Sequence, residues 1–140
     1  MKIIICLDKK NGYMFNNRRQ SMDRVLRQKL LLKLDGKPLY MSEYTKRQFT
    51  EEGNFFVDDE YEKNANADDF CFIENKGYNF SDCDEVWLFR WDKNYPADKI
   101  FDFSPEAMGF SQVSVEVFSG SSHDEISFEI YKRRIEYFEL

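Results

Sequence analysis

The residues that could do chemistry are gathered in one polar stretch, Phe15-Asn16-Asn17-Arg18-Arg19-Gln20-Ser21-Met22-Asp23. It follows a predicted strand and leads into a predicted helix, the place where open α/β sheets bind their ligands. Arginine presents a rigid donor fork suited to phosphate or carboxylate. Asn16, Asn17, Arg18, Arg19 and Ser21 are therefore the candidate ligand-binding residues, for an anion, a nucleotide or RNA. The alternative is a solvated polar loop whose arginines pair with acidic residues of the second half of the chain.

His123 is the only histidine. Its neighbours Ser122 and Asp124 do not make a triad, because a triad is assembled in space from separate segments. It can serve as a general acid or base if the fold brings it to the Asn16–Asp23 loop; otherwise it is a turn or surface residue. Asp23 is the second catalytic candidate, against the alternative that it supports a helix N-terminus. Trp87, Phe89 and Trp91 alternate and share one sheet face, as core or, on an exposed face, as a base-stacking platform. Cys6, Cys71 and Cys83 are too few and too far apart for a disulfide framework or a zinc site, and read as reduced, buried thiols. With one histidine and no ligand spacing among the carboxylates, no metal site is expected.

A chain of 140 residues suits one domain, residues 1–140. No apolar run reaches the ~20 residues needed to cross a bilayer, and Asp8 comes too early for a signal peptide. A cytoplasmic protein without a membrane partner is expected. The net charge of −6 is unevenly placed: residues 1–50 hold twelve Lys and Arg against four Asp and Glu, and residues 51–140 hold eight against twenty-two. Either the basic half forms a face for phosphates or nucleic acid, or the two halves pair with each other.

The elements that must position these groups are legible from periodicity. Ile3–Leu7 is a continuous apolar run, as in a strand buried on both faces of a parallel sheet. Ser21 is placed to cap a helix whose first turn holds Asp23, whose apolar stripe is Leu26, Leu30 and Leu34, and which stops at Gly36. Pro38–Met41, Phe55–Val57, Phe70–Ile73 and Val86–Trp91 read as strands. Ser42 caps a second helix running to Phe49, and Asp59–Ala67 is weakly helical. Val113–Phe118 and Ile126–Tyr131 alternate on either side of Gly120-Ser121-Ser122, as an antiparallel hairpin. The fold class is α/β: a single domain with a mostly parallel central sheet flanked by helices and an antiparallel C-terminal hairpin.

In this order the elements resemble the dihydrofolate reductase family. Ile3–Asp8 followed by Asn11-Gly12 is similar to its first strand and following loop. Lys37–Met41 resembles its Lys-Pro-Val-Ile-Met strand, with Thr45 in the next helix. Val86-Trp87-Leu88 is similar to the strand after its cofactor loop. Pro96–Phe103 and Ser127–Arg134 resemble its closing segments. The resemblance implies a reductase-like fold with Asp23 near the family's catalytic acid.

The departures bear on function. Asn17-Arg18-Arg19 stands where the family has Leu-Pro-Trp. Glu74-Asn75-Lys76 falls where it has paired glycines, which let backbone approach a pyrophosphate. Met41-Ser42-Glu43 replaces Met-Gly-Arg, so Glu43 takes the place of a phosphate-binding arginine. The resemblance therefore implies a degenerate cofactor site, no cofactor, and NADPH not bound in the family's manner. The expected function is a non-reductase protein binding a small ligand, nucleotide or partner at the Asn16–Asp23 loop. The alternative is an enzyme: a divergent reductase using Asp23, or a nuclease or phosphotransfer type using Arg18, Arg19 and His123.

Overall fold

The apolar run predicted as a doubly buried strand lies near the middle of the sheet. The computed structural model describes residues 1–134. In chain order it contains β1 (Lys2–Leu7), β2 (Gly12–Phe15), β3 (Arg18–Arg19), α1 (Arg24–Leu34), β4 (Leu39–Met41), α2 (Glu43–Lys46) and β5 (Phe55–Val57). There follow α3 (Tyr61–Asn64), β6 (Phe70–Phe72), β7 (Glu85–Trp91), β8 (Lys99–Ile100), β9 (Phe110–Phe118) and β10 (Ile126–Arg133). Seven strands form the main sheet in the order β5-β4-β6-β1-β7-β10-β9, and β3-β2-β8 form a small second sheet. β5, β4, β6, β1 and β7 run parallel, while β10 is antiparallel to both β7 and β9. This is the mostly parallel sheet with an antiparallel C-terminal hairpin that the periodicity predicts.

Strand side chains alternate between two cores. Ile4 faces Leu26, Leu30 and Leu34 of α1 together with Trp87, Phe89, Trp91 and Phe128. The Trp87-Phe89-Trp91 row is thus core, with Phe89 stacked on Phe128 at 4.3 Å between ring centroids. Ile3, Ile5 and Leu7 face the other way, against Tyr61, Phe101, Phe103, Phe110 and Tyr131. That second face departs from the expected flanking by helices. It is covered by loop aromatics, Phe80 and Phe101 among them at 5.3 Å, and α3 contributes a single turn. Aromatic rings bury enough area for a loop to cover a sheet without a long helix.

Three helix boundaries differ from the sequence reading. Asp23, not Ser21, is the N-cap of α1: its backbone is extended and its carboxylate accepts from the Leu26 N–H at 3.1 Å. Asp and Ser are comparable N-caps, and here the carboxylate also gathers N–H groups from a distant loop. At the other end Asp35 already turns left-handed (φ 50°), one residue before Gly36 (φ 80°), and its N–H closes on the Leu31 and Leu32 carbonyls. The second helix is one turn, capped by Ser42 as expected and ending at Lys46 rather than Phe49. No helix among the described residues is long and apolar enough to cross a membrane.

Candidate functional site

Asp8 follows β1, Ser42 follows β4, Glu74 lies just beyond β6 and Tyr95 beyond β7, so all four stand at the carboxyl end of the parallel strands. His123 enters the same end from the other direction, because β10 begins there. Every polar group of interest therefore comes from a loop at one end of the sheet, where ligands of such sheets bind.

The cleft at this end has a volume of about 500 Å³. Phe15, Asn16, Arg18, Arg19 and Gln20 line one side, and Tyr95 and Pro96 the other. Asp8, itself buried, fixes both walls. Its Oδ1 accepts from the backbone N–H of Lys10 and Gly12 at 2.8 Å each, and its Oδ2 accepts from Gln20 Nε2 at 3.0 Å and the Tyr95 N–H at 3.2 Å. Gln20 Oε1 is buried and has no hydrogen-bond partner among the described residues, a state that costs roughly 1–3 kcal/mol unless something donates to it.

The asparagines have a conformational reason to be where they are. β2 pairs with β3 through Phe15↔Arg18 and Met14↔Arg19, which leaves Asn16 and Asn17 as a two-residue loop. Both have positive φ, 50° and 60°, as a type I′ hairpin turn demands and asparagine tolerates. Their presence follows from the turn. Asn16 still lines the cleft, while Asn17 does not.

The two arginines have different fates. Arg19 stacks on the Tyr44 ring at 4.2 Å, its Nη2 donates to the Tyr44 carbonyl at 3.0 Å, and its guanidinium forks onto both oxygens of Glu74 at 2.9–3.2 Å. Glu74 also accepts from Thr45 Oγ1 at 2.9 Å and Gln48 Nε2 at 3.2 Å. Glu74, read from the sequence as the loss of a glycine, is therefore a buried counter-ion, and Arg19 is committed to it. Arg18 is exposed and makes no side-chain hydrogen bond or ion pair among the described residues. Other cations of the first half are likewise paired with second-half acids: Lys2 with Asp84 and Glu85, Arg27 with Glu51, and Lys29 with Glu116. The pairing alternative for the charge asymmetry holds at these positions.

Behind the cleft lies a second polar cluster. The Asp23 carboxylate accepts from the Leu26 and Ser121 N–H groups on Oδ1, and from the Ser122 N–H and Oγ on Oδ2, at 2.8–3.1 Å. His123 Nδ1 stands 3.3 Å from the same Oδ2. Burial pushes the Asp23 pKa up, but the N–H donors of Ser122, Ser121 and Leu26 outweigh it and hold the carboxyl well below the usual carboxylate range. The ionised Asp23 carboxylate faces Nδ1, so in the neutral imidazole the proton belongs on Nδ1 and Nε2 is left to accept. Two hydroxyls reach it: Tyr95 at 2.9 Å and Ser21 at 3.1 Å. Trp91 stacks on the imidazole at 4.3 Å.

The structure thus brings Ser21, Asp23 and His123 together, and links them through Tyr95 to the cleft that Asn16, Arg18 and Arg19 line. Ser21, Asp23 and His123 do not themselves line that cleft. Tyr95, Gln20, Glu74 and Asp8 are the members that sequence reading missed. Asp8 had a signal, a carboxylate ending an apolar strand just before Asn11-Gly12. Tyr95 and Glu74 had none, since their partners are 28 and 55 residues away.

No family model matches the chain, and no curated protein does. Among solved structures, it is similar to a dihydrofolate reductase from Enterococcus faecalis, a structure described as complexed with NADP(H) and RAB-propyl. The two share 13% sequence identity over 96% of each chain, with a TM-score of 0.59. The chain has the dihydrofolate reductase-like fold that its sequence resembles, in strongly divergent form.

Proposed function

We propose that the protein binds a small anionic, nucleotide-like ligand in the cleft between the β2–β3 hairpin and Tyr95, and is not a nicotinamide-dependent reductase. The observation that carries this reading is an exposed cation, Arg18, that pairs with no described residue and lines the cleft beside Gln20, whose buried Oε1 has no partner among the described residues. A ligand phosphate or carboxylate pairs with Arg18, and a ligand N–H edge satisfies Gln20 Oε1 once that side chain turns out into the cleft. Phe15, 41% exposed, offers a ring on which a base can stack.

The residues present do not fit a nicotinamide dinucleotide held in the related fold's manner. By the sequence resemblance a buried carboxylate, Glu74, takes the place of a glycine that lets backbone meet the pyrophosphate, and Ser42 Oγ closes on Asn75 Oδ1 at 2.7 Å beside it. Asp23 does not fit the role of a proton donor, since backbone and hydroxyl donors hold it ionised and occupy both its oxygens.

A second reading is an enzyme. It is favoured by one arrangement: His123, oriented by Asp23, has Nε2 within hydrogen-bond distance of Ser21 and of Tyr95, the hydroxyl nearest the cleft. An imidazole so placed can take the proton from either hydroxyl as that oxygen attacks a ligand, and then give it to the leaving group.

A thermal-shift and calorimetry series with nucleoside monophosphates, short RNA, folates and NADPH tests both. A nucleotide at 100 times its Kd adds about 2.7 kcal/mol of stability, and Arg18→Ala weakens it about tenfold. Stabilisation by NADPH, or binding that is indifferent to Arg18→Ala and Gln20→Leu, overturns the first reading. Turnover of an ester or phosphodiester that is lost in His123→Ala replaces it with the second.

A further inference from the structure

The alternation at Val113, Val115 and Val117 predicts a strand with one buried face, yet these residues are 55, 56 and 61% exposed. They lie on β9, an edge strand of nine residues whose only pairing among the described residues is with β10. Edge strands in soluble proteins are normally short or guarded by lysine, proline or inward charges. The opposite edge obeys this rule, because β5 has three residues. β9 is interrupted only near its start, by a bulge opposite Tyr131; Ser114–Phe118 pairs with β10 in regular register, and the whole strand carries one charge, Glu116, and no proline.

The helix layer above the same edge is also bare. Leu32 of α1 is 80% exposed and lies over β9 near Glu116 and Phe128. A partner that extends the sheet must therefore supply an apolar strand and an apolar group on the helix side. A second copy of this chain has both.

The charges are self-complementary in the way a two-fold axis requires. Lys29 pairs with Glu116 at 3.5 Å, and one turn on, Lys33 lines the same surface hollow as Ser114. If two β9 strands run antiparallel with Val115 on the axis, Ser114 faces Glu116 of the second copy, and Lys33 falls next to that carboxylate. Val113 faces Val117 of the second copy, so all three valines of each strand meet valine. We propose that the protein forms a two-fold dimer by antiparallel β9–β9 pairing centred on Val115, joining the two sheets into one.

Sedimentation of the full chain over a range of concentrations extending well above micromolar tests this, alongside Val115→Lys and Val115→Cys. The wild type is expected to dimerise. Val115→Lys, which sets two ammonium groups at the axis, is expected to raise the dimer Kd at least about tenfold, with a circular dichroism spectrum and melting transition showing that it still folds. Directly opposed residues of antiparallel strands have Cα atoms about 4.5–5.5 Å apart, within disulfide reach. Mild oxidation should therefore link Val115→Cys chains to one another, and should not link Val117→Cys chains. A wild type that stays monomeric overturns the proposal, as does a dimer unmoved by Val115→Lys, or cross-linking of Val117→Cys in preference to Val115→Cys. A monomer whose β9 amides resist hydrogen exchange overturns it too, by giving the edge another occupant.

Discussion

His123 and Asp23 are 100 residues apart in the chain and 3.3 Å apart in space. The contact closes the loop before β10 onto the N-terminus of α1. Asp23 caps its own helix and, with the same carboxylate, collects two N–H groups from the distant loop. Ser121 Oγ returns the gesture by accepting from the Arg24 N–H at 3.0 Å. Sequence-local capping and tertiary closure are thus one network, and it lies directly behind the tyrosine that lines the cleft.

That network should give stability a defined acid dependence. The folded-state pKa of Asp23 lies below its ordinary value of 3.8. Its contribution is therefore full above that value and is lost as pH falls through it towards the folded pKa. Asp23→Asn, which keeps the shape but not the charge, should cost about 2–3 kcal/mol at neutral pH through the weakened cap and the buried N–H groups of the loop. Urea unfolding across the acid range should show a wild-type curve falling below 3.8 and a flatter one for Asp23→Asn. Parallel curves would remove Asp23 from this role.

Glu74 and Arg19 make the second prediction. Removing one member of a buried pair leaves an uncompensated charge. Arg19 retains some solvent contact, its side chain being 19% exposed, so the cost is moderated. Glu74→Ala should lower stability by about 2–3 kcal/mol, and Arg19→Met with Glu74→Leu together should recover much of it. The same Glu74→Ala variant should bind anions in the cleft more tightly, because it frees a guanidinium that already lines it. Chemical denaturation and phosphate titration read the two effects separately.

Much of the scaffold was legible because its signals are local. Ile3–Leu7 and Val86–Trp91 are apolar without interruption, and only a central strand or helix buried on both faces tolerates that. Leu26, Leu30 and Leu34 recur every four residues and can face only one way. The site was legible in place but not in roles. Asn16-Asn17 carries the chemistry of a ligand loop and of a type I′ turn alike, and φ is what separates them. Glu74 reads as a lost glycine until Arg19, 55 residues earlier, is seen beside it. The valines of β9 show why periodicity has a limit: a period of two says that side chains share a face, not that anything covers it.

The cysteines give a direct check on burial. Burial pushes the Cys71 thiol up to about 12, and also raises Cys83 and the half-buried Cys6. Thiolate is the reactive form, so a thiol reagent near neutral pH should leave the native protein essentially unlabelled. It should titrate all three cysteines once the chain is unfolded in denaturant. Rapid labelling of the fully buried Cys71 in the native state would show that β6 opens.

Gly12 offers a test of whether the cleft walls are held by sterics as well as by Asp8. A Cβ placed on Gly12 would meet the Cβ of Ala97 at 2.5 Å, Asp8 Oδ2 at 2.8 Å and Gln20 Nε2 at 2.9 Å. Asp8 and Gln20 are joined by a hydrogen bond, and Ala97 follows Pro96 on the opposite wall, so the intruding methyl would push the two walls apart. Overpacking of this kind costs about 1–3 kcal/mol. Gly12 is not in the left-handed region, so the cost is steric and a neighbour can relieve it. Ala97→Gly in the Gly12→Ala background removes the nearest clash and should restore roughly half of the loss in melting experiments, leaving the contact with Asp8. Ligand affinity in the cleft should fall with Gly12→Ala and recover in the same double variant. Full stability in Gly12→Ala alone would mean that the walls yield freely, and that Asp8 rather than close packing sets their separation.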